Sequence, residues 1–213
     1  MWLTLKRPLP GKRAQLEMAP ENRVGSLREE STPPDDAMDA AVLVLLTPVN
    51  EGRTREELLD WTVLLIRRNS YPGVHSGQIA FPGGKCEDED ADFLDTACRE
   101  AFEETGVEKD RVEIVGPLTN LYLPASNYYM HPYLAVNLTA TVTLDTREAV
   151  EYKNIPIRTF NPAAATMLGF DYPDGDKRLA PAWLYEGYTI WGATSMVLSE
   201  LYHLVIEGTL ARA

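Results

Sequence analysis

The sequence predicts one α+β domain, a layered structure with a mixed β-sheet. Two observations lead to this fold class. Strand-like and helix-like segments follow one another without the regular alternation that builds a doubly wound parallel sheet. In addition, 213 residues with 45% apolar side chains suffice for one substantial core rather than two. We therefore expect a single domain with elaborations.

The first 38 residues are expected to form an arm, and the domain proper is assigned to residues 39–213. The arm is polar and rich in Pro, Glu and Arg, and within it only Gly11–Pro20 resembles a short helix. An arm that lies on the domain and a disordered tail both fit this composition. The charged start lacks a long apolar segment, so we expect no signal peptide.

Two apolar runs rich in β-branched residues then predict buried strands that pair as a hairpin, at Ala40–Val49 and Trp61–Arg68. The polar segment 51–60 between them is expected to be a connection. A short third strand is predicted to end at the glycine pair Gly83-Gly84.

The segment Ala91–Gly106 has the periodicity of an amphipathic helix. Apolar residues recur at three- and four-residue steps from Phe93 to Phe102, which predicts a buried stripe along these positions. Aspartates at its start suit the helix dipole, and Gly106 is a typical residue just beyond a helix end. The remaining predictions are strands at 111–124 and 130–144, a short helix at 161–170, strand character at 180–192 and an amphipathic helix at 193–208.

The charge balance narrows the classes of function. A net charge of −12 argues against nucleic-acid binding, which needs a basic face, but allows an anionic small molecule if a metal reverses the local sign. The only two cysteines, Cys86 and Cys98, favour a reducing compartment over a disulfide scaffold. The longest apolar run is too short to cross a bilayer. We expect a soluble, cytoplasmic protein, and a homodimer is left open.

Three carboxylates on the predicted helix are the main chemical signal. Successive helical residues turn by about 100°, so Glu100, Glu103 and Glu104 are expected to point one way, opposite the apolar stripe. A solvated acidic face is one interpretation. The other is a divalent-cation site, because Mg²⁺ prefers oxygen ligands and the preceding glycine turn can offer a bare carbonyl. Like charges at this spacing destabilise a helix unless a cation lies among them.

The stretch from Gly84 to Val107 resembles the Nudix box, Gly-x5-Glu-x7-Arg-Glu-U-x-Glu-Glu-x-Gly-U, where U is apolar. The second half matches from Arg99 to Val107, residue by residue. The first half is one residue longer than the general pattern, and the acid six positions after Gly84 is Asp90 rather than Glu. The first acidic position is thus left open between Glu89 and Asp90. The resemblance implies a Nudix fold, with the mixed sheet sandwiched between helices.

The upstream residues 75–84, HSGQIAFPGG, are similar to the signature of the coenzyme A pyrophosphatase branch of this family, which also lengthens the box by one residue. One departure is Gly73, which stands where that branch has Arg or Lys. The resemblance implies Mg²⁺- or Mn²⁺-dependent hydrolysis of the pyrophosphate of coenzyme A or its derivatives, giving 3′,5′-ADP and 4′-phosphopantetheine. Hydrolysis of ADP-ribose, a dinucleotide or a (d)NTP stays open, as does a catalytically silent nucleotide sensor.

The resemblance also implies roles for the box residues. Glu100 and Glu104 are expected to be the principal metal ligands, and Glu103 to serve a second ion or orient the attacking water. Gly84 is expected to lend its carbonyl to a metal. Arg99 is assigned to the catalytic group, although we expect it to point away from the ligands and to clamp a helix carboxylate.

Residues outside the box complete the predicted site. Glu148 and Glu151 are candidates for the general base or a further ligand, and surface charges are the alternative. Strand alternation predicts that only one of Arg67 and Arg68 reaches the substrate. The candidates for substrate binding are Arg67, Arg68, His75, Gln78 and Lys85.

Overall fold

A computed structural model of the chain describes residues 2–21, 33–69, 77–138, 141–171, 175 and 177–213. The strands are β1 (Leu3–Leu5), β2 (Met38–Thr47), β3 (Thr62–Arg68), β4 (Ile79–Ala80), β5 (Gly83–Lys85), β6 (Val112–Pro117), β7 (Leu121–Leu123), β8 (Tyr128–Asn137), β9 (Ala149–Pro156), β10 (Thr166–Asp171), β11 (Lys177–Tyr185), β12 (Tyr188–Trp191) and β13 (Leu210–Arg212). The helices are α1 (Gly11–Leu16), α2 (Arg55–Asp60), α3 (Phe93–Thr105) and α4 (Gly192–Ile206).

The main sheet is mixed. Within the described residues it has eight strands, with the order β4-β3-β2-β8-β6 and with β5, β7 and β9 paired to β2, β8 and β3. Strands β2 and β8 run parallel, whereas β3 and β5 pair with β2 in the antiparallel sense. A second sheet joins β10, β11 and β12.

Strand β2 is buried on both faces, which explains why its sequence is a continuous apolar run. Ala41, Leu43 and Leu45 pack on the side of α3. Val44 and Leu46 lie on the opposite side, in the large core cluster that includes the apolar face of α4. Helices therefore cover both faces of a mixed sheet, and the predicted fold class is confirmed.

The described part of the N-terminal arm is tied to the rest of the chain. Strand β1 pairs with β13 at the C-terminal end. Leu3 and Met18 are fully buried in the large core cluster, and the Ser199 hydroxyl of α4 donates a hydrogen bond to the carbonyl of Ala14 in α1. The predicted boundary between residues 38 and 39 stays a prediction.

Several sequence predictions of local structure need correction. Segment 51–60 contains a helix, α2, which begins with a capping box between Thr54 and Glu57. Segment 161–170 forms one short 3₁₀ helix, Pro162–Ala164, and then enters strand β10. In both cases tertiary packing and side-chain capping outweigh the polar or Ala-rich composition of the segment.

None of the helices in the described ranges has both the length and the apolar character needed to span a membrane.

Candidate functional site

The glycine pair begins a strand instead of ending one, which corrects the prediction. Gly83 and Gly84 begin β5 and pair with Val42 and Ala41 of β2. At Gly83, φ is 152°, and a Cβ atom would lie 2.4 Å from the Ala41 carbonyl oxygen, so only glycine fits. At Gly84, a Cβ would lie 2.4 Å from Oε2 of Glu100. Gly83 and Gly84, which we call the glycine corner, thus bring backbone without side chains against helix α3.

Helix α3 has the predicted ends, and its buried face matches the predicted stripe only in part, at Ala97 and Ala101. The Asp92 side chain caps its first turn, and Gly106 ends it in the left-handed conformation at φ 68°. Phe93 and Phe102 of the predicted stripe are exposed, whereas Thr96, Ala97, Cys98, Ala101, Glu104 and Thr105 are buried. The face that packs on β2 and β5 is therefore lined by small residues and one carboxylate.

The three glutamates differ widely in exposure, contrary to the prediction that all of them point one way, opposite the buried stripe. The side chains of Glu104, Glu100 and Glu103 are 1%, 14% and 47% exposed. Glu104 points toward the sheet, because small residues around it let α3 approach the glycine corner closely. Glu103 lies at the surface.

Glu104 is the most perturbed acid of the group. Its Oε2 accepts a hydrogen bond from the N–H of Gly83 at 2.8 Å, and its Oε1 lies 3.8 Å from Nη1 of Arg68. Burial raises the pKa of Glu104 to about 7, although Arg68 and the Gly83 N–H favour the charged form. Within the described residues, Oε1 is buried and has no hydrogen-bond partner.

Arg99 corrects another expectation, because it points toward the carboxylates. Its Nη1 donates to Oε1 of Glu100 at 2.9 Å and lies 3.4 Å from Oε2 of Glu103. The expected clamp on helix carboxylates is therefore present. Burial raises the pKa of Glu100, and Arg99 partly offsets this effect.

Asp90 is the acid that the structure joins to the box arginine. Its Oδ1 and Oδ2 accept from Nε and Nη2 of Arg99 at 2.8 and 3.0 Å, and Thr96 Oγ1 donates to Oδ2 at 2.8 Å. The hydrogen bonds from Arg99 lower the pKa of Asp90 well below its usual range. Glu89 is exposed. Of the two candidates for the open position of the box, Asp90 is therefore the one that pairs with Arg99.

The two arginines of β3 face opposite sides, as strand alternation predicts. Arg68 Nη1 donates to the Gly83 carbonyl at 3.3 Å and so lies at the glycine corner. Arg67 instead pairs with Glu151 at 2.6 Å, donates to the Gly187 carbonyl at 3.0 Å and lies over the ring of Tyr188. Glu151 therefore forms an ion pair with Arg67.

The other predicted residues have distinct positions. Glu148 is exposed in the turn before β9, and its negative charge adds to the effect of burial in raising the pKa of Glu100 and Glu104. Lys85 is exposed at the end of β5 and its carbonyl accepts from Arg99 at 3.1 Å. The carbonyl of Gln78 accepts from the N–H of Arg68 at 3.0 Å. Gly73 and His75 lie outside the described residues.

The residues at the corner suit a hydrated hard cation better than an all-protein cage. In the described part of the chain, no three His, Cys, Asp or Glu side chains converge as a ligand set. Mg²⁺ is usually held by one or two carboxylates together with water and substrate phosphates. The buried Oε1 of Glu104, which accepts no hydrogen bond from the described residues, and the Glu100 carboxylate packed against bare Gly84 fit such a site.

Sequence reasoning left one of these residues undecided and missed another. Asp90 could not be chosen over Glu89, because the choice depends on the path of a loop and not on helical spacing. Asn69 was not singled out, yet it bonds to the turn that carries Glu148. Its position beside Arg68, directly after a strand, was the only available signal.

Comparison with known proteins identifies the family of the chain. The family model described as NUDIX domain matches residues 39–176. Proteins described as uncharacterized Nudix hydrolase NudL are similar to the chain. The one from Photorhabdus laumondii is 29% identical over 146 residues, which make up 66% of this chain and 75% of the relative. The one from Yersinia enterocolitica is 30% identical over 142 residues, or 66% and 72% of the two chains.

Among solved structures, the Nudix hydrolase RenU from M. smegmatis superposes with a TM-score of 0.51 at 16% identity, covering 80% of this chain and 87% of that one. This likeness supports the fold alone. Together, the family-model match and the relatives show that the chain belongs to the Nudix family of hydrolases.

Proposed function

We propose that this Nudix pyrophosphohydrolase cleaves the diphosphate of coenzyme A or its derivatives, giving 3′,5′-ADP and 4′-phosphopantetheine or its acyl form. The observation that carries the hydrolase activity is the meeting of Glu104, the Gly83 N–H and Arg68 at one corner. The choice of coenzyme A rests on the similarity of residues 75–84 to the signature of that branch.

We assign the metal-holding role to Glu104 and Glu100, with the Gly84 carbonyl as a further oxygen donor. Nudix hydrolases use divalent metal ions, and we propose Mg²⁺ or Mn²⁺ here. When bound, such an ion neutralises phosphate oxygens and lowers the pKa of water. The chain has a net charge of −12, which repels a polyanionic substrate. A cation held by the residues at the corner offsets this repulsion.

Each remaining residue then has a task that its position supports. Arg99 holds the Glu100 carboxylate, and Asp90 in turn orients the guanidinium of Arg99. Arg68 is placed to contact a substrate phosphate, because its guanidinium lies at the glycine corner and is partly exposed. Glu148, in an exposed turn, is proposed to accept the proton of the attacking water, and Glu103 to orient that water.

The other candidates for substrate contact differ in how well their positions support that role. Lys85 and Gln78 flank the corner in the chain, whereas Arg67 and Glu151 bind each other away from it. The proposed setting is the cytoplasm, since Cys86 and Cys98 are both free thiols.

A product-resolved activity panel tests the proposal. Purified protein with Mg²⁺ or Mn²⁺ is given coenzyme A, acetyl-coenzyme A, dephospho-coenzyme A, ADP-ribose, NADH and dNTPs, and the nucleotide products are identified by chromatography. We expect 3′,5′-ADP from coenzyme A, with dephospho-coenzyme A as a poorer substrate. Preference for another substrate would overturn the coenzyme A assignment, and no cleavage of any would favour a nucleotide sensor.

A further inference from the structure

Asn69, at the end of β3, fastens a neighbouring turn by several hydrogen bonds. Its side-chain Nδ2 donates to the carbonyl oxygens of Thr146 at 3.0 Å and Arg147 at 2.6 Å. Its backbone N–H donates to the carbonyl of Glu148 at 3.0 Å, and its own carbonyl accepts from the N–H of Gly77 at 3.2 Å. One residue thus binds three consecutive carbonyls of residues 146–148.

The same segment is anchored to α3 at its other end. The N–H of Asp145 donates to the carbonyl of Glu104 at 3.1 Å, and the N–H of Thr143 donates to the carbonyl of Thr105 at 2.8 Å. These are terminal carbonyls of the helix, which have no partner within it. Residues 143–148 therefore bridge the end of α3 and the end of β3.

The pairing of β3 with β9 is irregular at this point. Arg67 is opposite Glu151, but Arg68 is opposite Ala149, so β9 carries one extra residue between these pairs. Bulges of this kind bend a strand and redirect the side chains next to it. Here the irregularity lies directly after the 145–148 turn in the chain. Asn69, which follows Arg68, binds this turn.

The acid on this turn interacts unfavourably with acids of α3. The charge of Glu148 acts on Glu100 and Glu104, and like charges favour an outward movement of an exposed turn. The amide of Asn69 supplies two donors without adding a charge to this acidic region. An aspartate of the same shape would present oxygens to the same carbonyls.

We propose that Asn69 is a positioning residue, which holds the 145–148 turn and with it Glu148 beside the glutamates of α3. The inference rests on the proposed function only in that Glu148 takes part in hydrolysis. The contact between Asn69 and the turn is independent of it.

Amide hydrogen exchange tests the contact without reference to activity. In Asn69→Ala, we expect exchange within residues 143–149 to rise by about tenfold, since the turn loses two hydrogen bonds. Asn69→Asp should raise it at least as much. Asn154→Ala, an exposed asparagine of β9, is the matched control and should leave the exchange unchanged. Unchanged exchange in both Asn69 variants would overturn the proposal.

A double-mutant cycle tests the role in hydrolysis. Asn69→Ala should lower kcat by about tenfold with little change in KM, and should have no further effect on kcat in a Glu148→Gln background. The same fold loss in both backgrounds would show that Asn69 does not act through Glu148. If the wild-type protein cleaves nothing in the panel, the proposed function fails, whereas the exchange result still decides whether Asn69 holds the turn.

Discussion

Oε2 of Glu104 accepts a hydrogen bond from the backbone N–H of Gly83 at 2.8 Å, across the contact between α3 and β5. This bond fixes one oxygen of a buried carboxylate to the sheet. The other oxygen, Oε1, is directed toward Arg68 and has no hydrogen-bond partner among the described residues. One acceptor oxygen therefore joins α3 to β5, and the second is the oxygen to which we assign metal binding.

Replacing Glu104 by Gln should separate these two roles. The glutamine carbonyl can keep the hydrogen bond from Gly83, whereas the negative charge is lost. We expect Mg²⁺ affinity, measured by isothermal titration calorimetry, to fall by at least about tenfold. Glu108→Gln, which removes an exposed acid near the end of α3, is the matched control. Wild-type affinity and turnover in Glu104→Gln would contradict the ligand assignment.

Replacing Gly84 by Ala should disturb the site more than the fold. The new Cβ would lie 2.4 Å from Oε2 of Glu100, a flexible side-chain end that can move aside. We expect turnover to fall by about tenfold or more, because about 1 Å of misplacement can cost a hundredfold, while the melting temperature changes little. Gly169→Ala meets no atom within 4 Å and serves as the control. Equal activity of the two variants would contradict a role for the Gly84 contact.

Replacing Asp90 by Asn should reveal which acid supports Arg99. Asp90 makes two hydrogen bonds to this guanidinium, and its side chain is 6% exposed. We expect the variant to lose about 2 kcal/mol of unfolding free energy in urea titrations, the usual range for a hydrogen bond to a charged group. Glu89→Gln, at the exposed neighbouring acid, should lose almost none. The reverse order would return Glu89 to the box position.

Glu200 is expected to make stability depend on pH. Burial raises the pKa of Glu200, although Thr119 and Gln15 donate hydrogen bonds to it. The folded state then binds the proton more tightly than the unfolded state, so this residue's stabilising effect is full at low pH and declines as pH rises through the folded-state pKa.

The corresponding measurement compares unfolding free energies of wild type and Glu200→Gln in urea from about pH 4 to about pH 8. The wild type should lose stability relative to the variant as pH rises. A difference between the two proteins that is constant over this range would show that Glu200 titrates alike in the folded and unfolded chains.

Much of the architecture followed from the sequence. Strand β2 was predicted because an uninterrupted apolar run is typical of a strand buried on both faces, and α3 because its periodicity and terminal residues are local signals. The buried face of α3 was predicted only in part, because Ala97 and Ala101 are buried as predicted but the two phenylalanines are exposed. Phe102 fits the helical repeat, but the small residues beside Glu104 are what allow contact with β5.

The sequence by itself determined the family resemblance, the mixed sheet and the set of acids near the glycine pair, because these depend on residue types at short, regular spacings. Only the tertiary structure decided the orientation of each group. It buried Glu104, paired Asp90 with Arg99, directed Arg68 toward the corner and Arg67 toward Glu151, and brought Asn69 to the 145–148 turn. These choices arise between segments distant in the chain, where packing, desolvation and hydrogen-bond geometry act together and leave no local pattern.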